Sequence, residues 1–142
     1  MKKSFIICLL VAFFLFGVTS SAAAANWVFV GKLQLASGKS RTDYVDSETV
    51  VWNKADNSIT FWLLSETVDP ERPPNMSAWT TTKYVTKLDG IYPTRVLEWH
   101  GYTKIDGKVM GLSSKKPDSQ VIYPEEYSLL SEAIELAEKY AR

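Results

Sequence analysis

From Trp27 to Ser113 apolar and polar positions alternate through most segments, and from Glu125 onward the spacing changes to threes and fours. Alternation is the period of a strand with one buried face. Trp27 to Leu35 reads this way, with Trp27, Phe29, Gly31, Leu33 and Leu35 on one face. Thr42 to Asp46 is a short second strand, and Ser47-Glu48-Thr49 a tight turn before Val50-Val51-Trp52. After the turn pair Asp56-Asn57, Ile59 to Val68 is a long strand rich in β-formers. Its Ile59, Phe61 and Leu63 oppose Trp62, Leu64 and Val68. The stretch Asp69 to Asn75 contains three prolines and is a loop, because proline cannot donate to a ladder. Ala78 to Leu88 resumes the pattern. Asp89-Gly90 predicts a two-residue hairpin into Ile91 to Ile105, along which Tyr92, Val96, His100 and Tyr102 oppose Leu97 and Trp99. Asp106-Gly107 repeats the device before Val109 to Ser113.

The tail is helical in period. Tyr127, Leu130, Ile134, Ala137 and Ala141 share a stripe, flanked by Ala133 and Leu136. Pro124 suits a helix start, and Glu125 and Glu126 oppose the positive end of the helix dipole as Lys139 and Arg142 oppose the negative one. An amphipathic helix beside a one-sided sheet docks on that sheet. The expected fold class is α+β: an antiparallel meander sheet of about six strands with one C-terminal helix packed on one face.

Residues 1–25 read as a secretory signal peptide. Lys2 and Lys3 form its basic start, Phe5 to Val18 its apolar run, and Ala22 to Ala25 its cleavage site, with cleavage after Ala24 or Ala25. The run is short for a membrane span of about 20 residues, and no transmembrane segment is expected in the mature chain. Residues 26–142 are then a single exported domain of the periplasm or the bacterial cell surface. The single cysteine, Cys8, falls within the leader, upstream of the cleavage cluster, so it is no lipidation cysteine and no disulfide is expected. Losing Lys2 and Lys3 leaves 14 of the 16 basic residues against 16 acidic ones, a net charge near −2 that gives no pull toward nucleic acid.

Chemistry-bearing groups are few. His100 is the single histidine, and it reads as a structural or surface residue; without cysteine it cannot supply a usual zinc set. Asp43, Asp46 and Glu48 precede one turn, and Glu66, Asp69 and Glu71 border the proline loop. Two such carboxylates about 5–9 Å apart would serve a glycoside hydrolase, whereas the plainer reading makes them turn, cap and loop charges. Lys83 and Lys87 share a strand face, and Lys104, Lys108, Lys115 and Lys116 crowd the last hairpin; these lysines meet acidic partners locally or, as is commoner, guard exposed edges. All five tryptophans and seven tyrosines lie beyond the leader. One helix covers one face of a sheet, so some of these rings are left on the other. There they form a contact patch, or they are covered by lysine and threonine stems or by sheet curvature.

Taken in order, Trp27-Val28-Phe29-Val30-Gly31, Tyr44-Val45-Asp46-Ser47 with Val50-Val51-Trp52, Lys83-Tyr84, Asp106-Gly107-Lys108-Val109 and Val121-Ile122-Tyr123-Pro124 resemble the surface-adhesin protein E family. The resemblance spans nearly the whole mature chain. It implies an antiparallel sheet with a C-terminal helix on it, and an exported bacterial protein that binds host proteins at the cell surface. Many members carry one cysteine near the end of the lysine-tyrosine strand and another at the C-terminus. Here those places read Tyr84-Val85-Thr86-Lys87-Leu88 and Lys139-Tyr140-Ala141-Arg142, so the helix must hold by packing alone. The expected function is therefore a non-catalytic binding module with a protein partner, no cofactor and no metal. The alternatives are a periplasmic envelope-maintenance or partner-binding protein and, from another class, an exported carboxylate-dependent hydrolase. The resemblance assigns no binding residue.

Overall fold

Successive side chains of a strand leave opposite faces, and the alternating segments are strands in the computed structural model, which describes residues 25–115 and 119–142. Residues 1–24 of the expected leader, Cys8 among them, and Lys116 lie outside the described residues. The strands are β1 (Trp27–Gln34), β2 (Ser40–Asp46), β3 (Val51–Asn53), β4 (Ser58–Val68), β5 (Met76–Lys87), β6 (Thr94–Ile105) and β7 (Lys108–Lys115), followed by one helix, α1 (Leu129–Tyr140). All pairings are antiparallel, in the order β1-β2-β4-β5-β6-β7. The short β3 is off this path and shares an edge of β4 with β2. β2 runs along Leu63 to Val68, while β3 takes Ser58 to Thr60. The fold is the α+β architecture that the sequence pattern implies.

Two of the expected hairpins differ in kind. Ile105 pairs with Lys108 across Asp106 (φ 49°) and Gly107 (φ 80°), the two positive-φ positions that a two-residue turn matching strand twist requires. Asp89-Gly90, by contrast, sits in a six-residue connection. The carboxylate of Asp89 accepts the amides of Ile91 and Tyr92 (3.2 and 3.1 Å), and the ladder closes only where Lys87 donates to the carbonyl of Pro93 (3.2 Å). The aspartate caps its own local turn, which competes with the tight hairpin.

Bulges reassign two faces. Phe29 pairs with Tyr44 and Gly31 with Asp43, so Val30 is an extra residue. Trp27 and Phe29 therefore share a face that Gly31 does not, contrary to the simple alternation of β1. Likewise Lys83 pairs with Glu98 and Tyr84 with Val96, which makes Leu97 the extra residue. Val96 and Trp99 then lie on one face, with His100 and Tyr102 on the other. Tyr92 is not in the strand at all.

α1 covers the face that carries Val45, Ile59, Phe61 and Leu63. These four, with Val50, Ala133, Ile134 and Ala137, form the buried core, and Tyr84, Leu88, Tyr92, Leu130 and Leu136 pack around it. Ala133 and Ala137 are wholly buried and small enough to let the helix settle close to the sheet. The helix begins four residues later than the charge pattern suggests. Tyr127 has φ 61°, which ends any helix running back to Glu125, and Ser128 instead caps the start by accepting the amide of Ser131 (3.2 Å). At the other end Trp52 donates its amide to the carbonyl of Arg142 (3.0 Å), so a main-chain bond to β3 secures the C-terminus.

α1 contacts β1, β2 and β4, leaving the β5–β6–β7 half of that face without a helix. There Trp99 lies across Gly101, where a Cβ would stand 2.8 Å from its ring. The indole substitutes for a covering element, and any side chain at 101 would displace it.

Ile134→Ala is expected to cost about 2–5 kcal/mol, the range for a fully buried aliphatic. Glu138→Ala, on the outer side of the same helix, should stay within about 0.5 kcal/mol. Urea denaturation of both variants checks this; equal losses would contradict the docked helix.

Candidate functional site

Alternation also decides which polar groups can meet. Asp43 and Asp46 are three residues apart on β2, so they leave opposite faces, and the structure does not bring them together as a carboxylate pair. Asp43 is fully buried on the helix-covered face, where Arg41 grips it through two bonds: Nε to Oδ1 at 2.8 Å and Nη2 to Oδ2 at 2.5 Å. A buried carboxylate needs such a partner. The same hydrogen bond holds the guanidinium pKa of Arg41 above its ordinary value. Burial beside this pair pushes the Tyr84 phenol up as well.

Asp46 anchors the turn between β2 and β3. Its Oδ1 accepts the amides of Asn26 (3.0 Å) and Glu48 (3.2 Å), and its Oδ2 accepts the Thr49 hydroxyl (3.0 Å). Glu48 itself is exposed in that turn, as are Glu66 and Glu71. Asp69 accepts the amide of Glu71 (3.0 Å) and pairs with Lys39 (3.1 Å), and both interactions hold its carboxyl below the usual range. The carboxylates of Asp43, Asp46 and Asp69 are thus engaged by a buried pair, a turn and a local pair, while the three glutamates are exposed. Among the described residues no three histidine, cysteine or acidic side chains stand close enough to hold a metal.

The face away from α1 is different in character. β1 contributes Trp27 and Phe29 to it, β2 Tyr44, β4 Trp62, β5 Trp79 and Lys83, and β6 Glu98, His100 and Tyr102. Four of these rings form a continuous row. Trp62 stacks on His100 (centroids 6.0 Å, 25°), His100 adjoins Tyr102 (6.3 Å), and Tyr102 stacks on Trp79 (5.5 Å, 16°). The register Thr81–His100 and Trp79–Tyr102 sets this spacing. Phe29 meets Tyr44 edge-on at 6.0 Å, extending the aromatic surface to β1.

Polar groups are set into the row. His100 Nε2 lies 2.6 Å from a carboxylate oxygen of Glu98, and Lys83 places its ammonium 5.7 Å from the centre of the Trp62 ring. Between Trp27, Trp62, His100 and Tyr102 the surface dips into a shallow cleft of about 390 Å³ with Thr81 at its floor. The rings are half-buried, offering area and hydrogen-bonding edges at once.

His100 is thus a member of the surface row. Lys83 and Lys87, read from sequence as edge guards, belong to β5, which has β4 and β6 on either side; Lys83 instead covers Trp62. Lys104 and Lys108 do lie at the last hairpin, beside the edge strand β7. Glu98 was not among the sequence candidates. Its signal is the alternation Glu98, His100, Tyr102, which puts the three side chains on one face.

Arg41→Leu is expected to destabilise the protein by about 3 kcal/mol, the low end for breaking a buried pair, because Arg41 is itself partly exposed. Removing both charges (Arg41→Leu with Asp43→Asn) should recover most of that loss in thermal or urea unfolding. With Asp43→Asn measured alone as well, strictly additive losses would show that the pair is not coupled.

Compared with protein-family models, with curated proteins and with solved structures, the chain has no significant match.

Proposed function

We propose that this chain is an exported, non-catalytic binding module of the bacterial envelope, and that the open aromatic face is its contact surface for a protein partner. The row Trp62–His100–Tyr102–Trp79 carries this reading. Aromatic side chains present large, rigid contact area at small entropic cost and dominate the energetic centres of protein interfaces. Support for export comes from the leader pattern of residues 1–25. The resemblance to the surface-adhesin protein E family gives the reading its most specific form, a cell-surface adhesin for host proteins. A periplasmic envelope-maintenance or partner-binding role is the second form of the reading. The separation of Asp43 and Asp46 onto opposite faces argues against the hydrolase alternative built on those two residues.

The test is interferometry of the purified protein against a panel of host matrix and bacterial envelope proteins. A partner that binds should lose at least about tenfold in affinity with Trp62→Ala or Tyr102→Ala, as for residues at the centre of an interface. Lys139→Ala on α1 should leave binding unchanged. Affinity indifferent to both aromatic changes would refute the open face as the contact surface, and flat responses to every host protein would remove the adhesin form. Protease shaving of intact cells separates the two locations: a surface domain is cut at once, a periplasmic one only after the outer membrane is permeabilised.

A further inference from the structure

A second concave surface lies apart from the aromatic row. The connection between β5 and β6, the segment before α1 and the first turns of α1 enclose a cleft of about 780 Å³. That is within the usual size of a ligand site. Ile91, Tyr123 and Tyr127 line it and are 63%, 62% and 82% exposed, so three large apolar side chains face solvent together. Patches of this kind on a small domain mark contact sites.

The polar lining has one sign. Glu126, Glu132 and Glu135 contribute carboxylates, and among the described residues no lysine, arginine or histidine lines the cleft. Tyrosine faces carry negative potential, which adds to that of the carboxylates in attracting a cation. Two tight backbone turns shape the rim: Tyr92 and Tyr127, both in the cleft, have φ of 51° and 61°, the first beside the Asp89 carboxylate and the second just before the Ser128 cap. One tyrosine packs against the core, whereas the other is held out into solvent.

We infer that this cleft docks a basic segment of another protein, one in which lysines or arginines alternate with aliphatic or aromatic residues. Charge complementarity selects the basic groups, since three carboxylates without a counter-cation repel acidic segments and anionic lipid. The exposed isoleucine and tyrosines select an occupant that also has apolar side chains, which a simple polyamine lacks. The site is separate from the open sheet face, so each surface stands or falls without the other.

Nuclear magnetic resonance titration of the full chain tests this with three probes. They are a six-residue peptide alternating lysine with leucine and phenylalanine, its glutamate analogue, and spermidine. The lysine peptide should shift amides of residues 90–92 and 123–135, and the glutamate analogue should not. Spermidine should bind at least about tenfold more weakly than the lysine peptide. Glu126→Lys with Glu135→Lys, both at exposed positions, should weaken the lysine peptide by at least about tenfold while leaving the spectrum folded. Tyr127→Ala should weaken it without changing the melting temperature. Shifts confined to the Trp62–His100 face, equal binding of the glutamate analogue or of spermidine, or affinity unchanged in the glutamate variant would overturn the inference. So would self-association in which the lysine-bearing β6–β7 hairpin of a second copy fills the cleft.

Discussion

A single helix resting on one side of a wide sheet is the constraint from which the rest of this structure follows. Six strands side by side span about 24 Å, and α1 contacts only β1, β2 and β4, so it covers only part of one face. The covered part becomes a buried core of Phe61, Ile59, Leu63, Val45 and Ile134. Everywhere else the sheet must manage its own apolar surface. Trp99 does so by folding across Gly101, and the far face does so by leaning its aromatic rings on one another. Stacking shields part of each ring, which lets tryptophans sit on an open surface without a covering element. The same rings remain available to a partner.

Charges are divided by the same geometry. On the covered side a carboxylate survives only because Arg41 holds Asp43 with two bonds. On the open side Glu98, His100 and Lys83 sit at the surface, where each touches a ring or a neighbouring charge. The buried pair satisfies a carboxylate under the helix, whereas the exposed groups give the aromatic row polarity. An apolar row alone would favour unspecific association; a row with set charges discriminates between partners.

Much of this was legible in the chain. The period of two over Ile59 to Val68 identified the faces of β4, and the stripe Leu130, Ile134, Ala137 identified the buried side of α1. The separation of Asp43 from Asp46 follows from that same period, although their nearness in sequence draws the eye to a pair. The bulges at Val30 and Leu97 were not legible, because an extra residue in a strand is decided by pairing with a partner that the local sequence does not name. The consequence was a misplaced Gly31 and Val96. Strand order was legible as a meander except at the short β3, and the edge-guard reading of Lys83 overlooked that a meander makes β5 internal. The helix start was obscured because Glu125 and Glu126 carry the right charge for a first turn, while the backbone at Tyr127 turns the wrong way.

The uncovered aromatic face is proposed above as the contact surface of an exported binding module. Site-specific photo-crosslinking in the producing cell examines it most directly, with a benzophenone amino acid placed at Thr81, at the floor of the shallow cleft, or at Glu138, on the outer side of α1. The account predicts a discrete crosslinked protein adduct from position 81 and none from position 138. Adducts from position 138 with none from position 81 would place the contact on the helix side and contradict it.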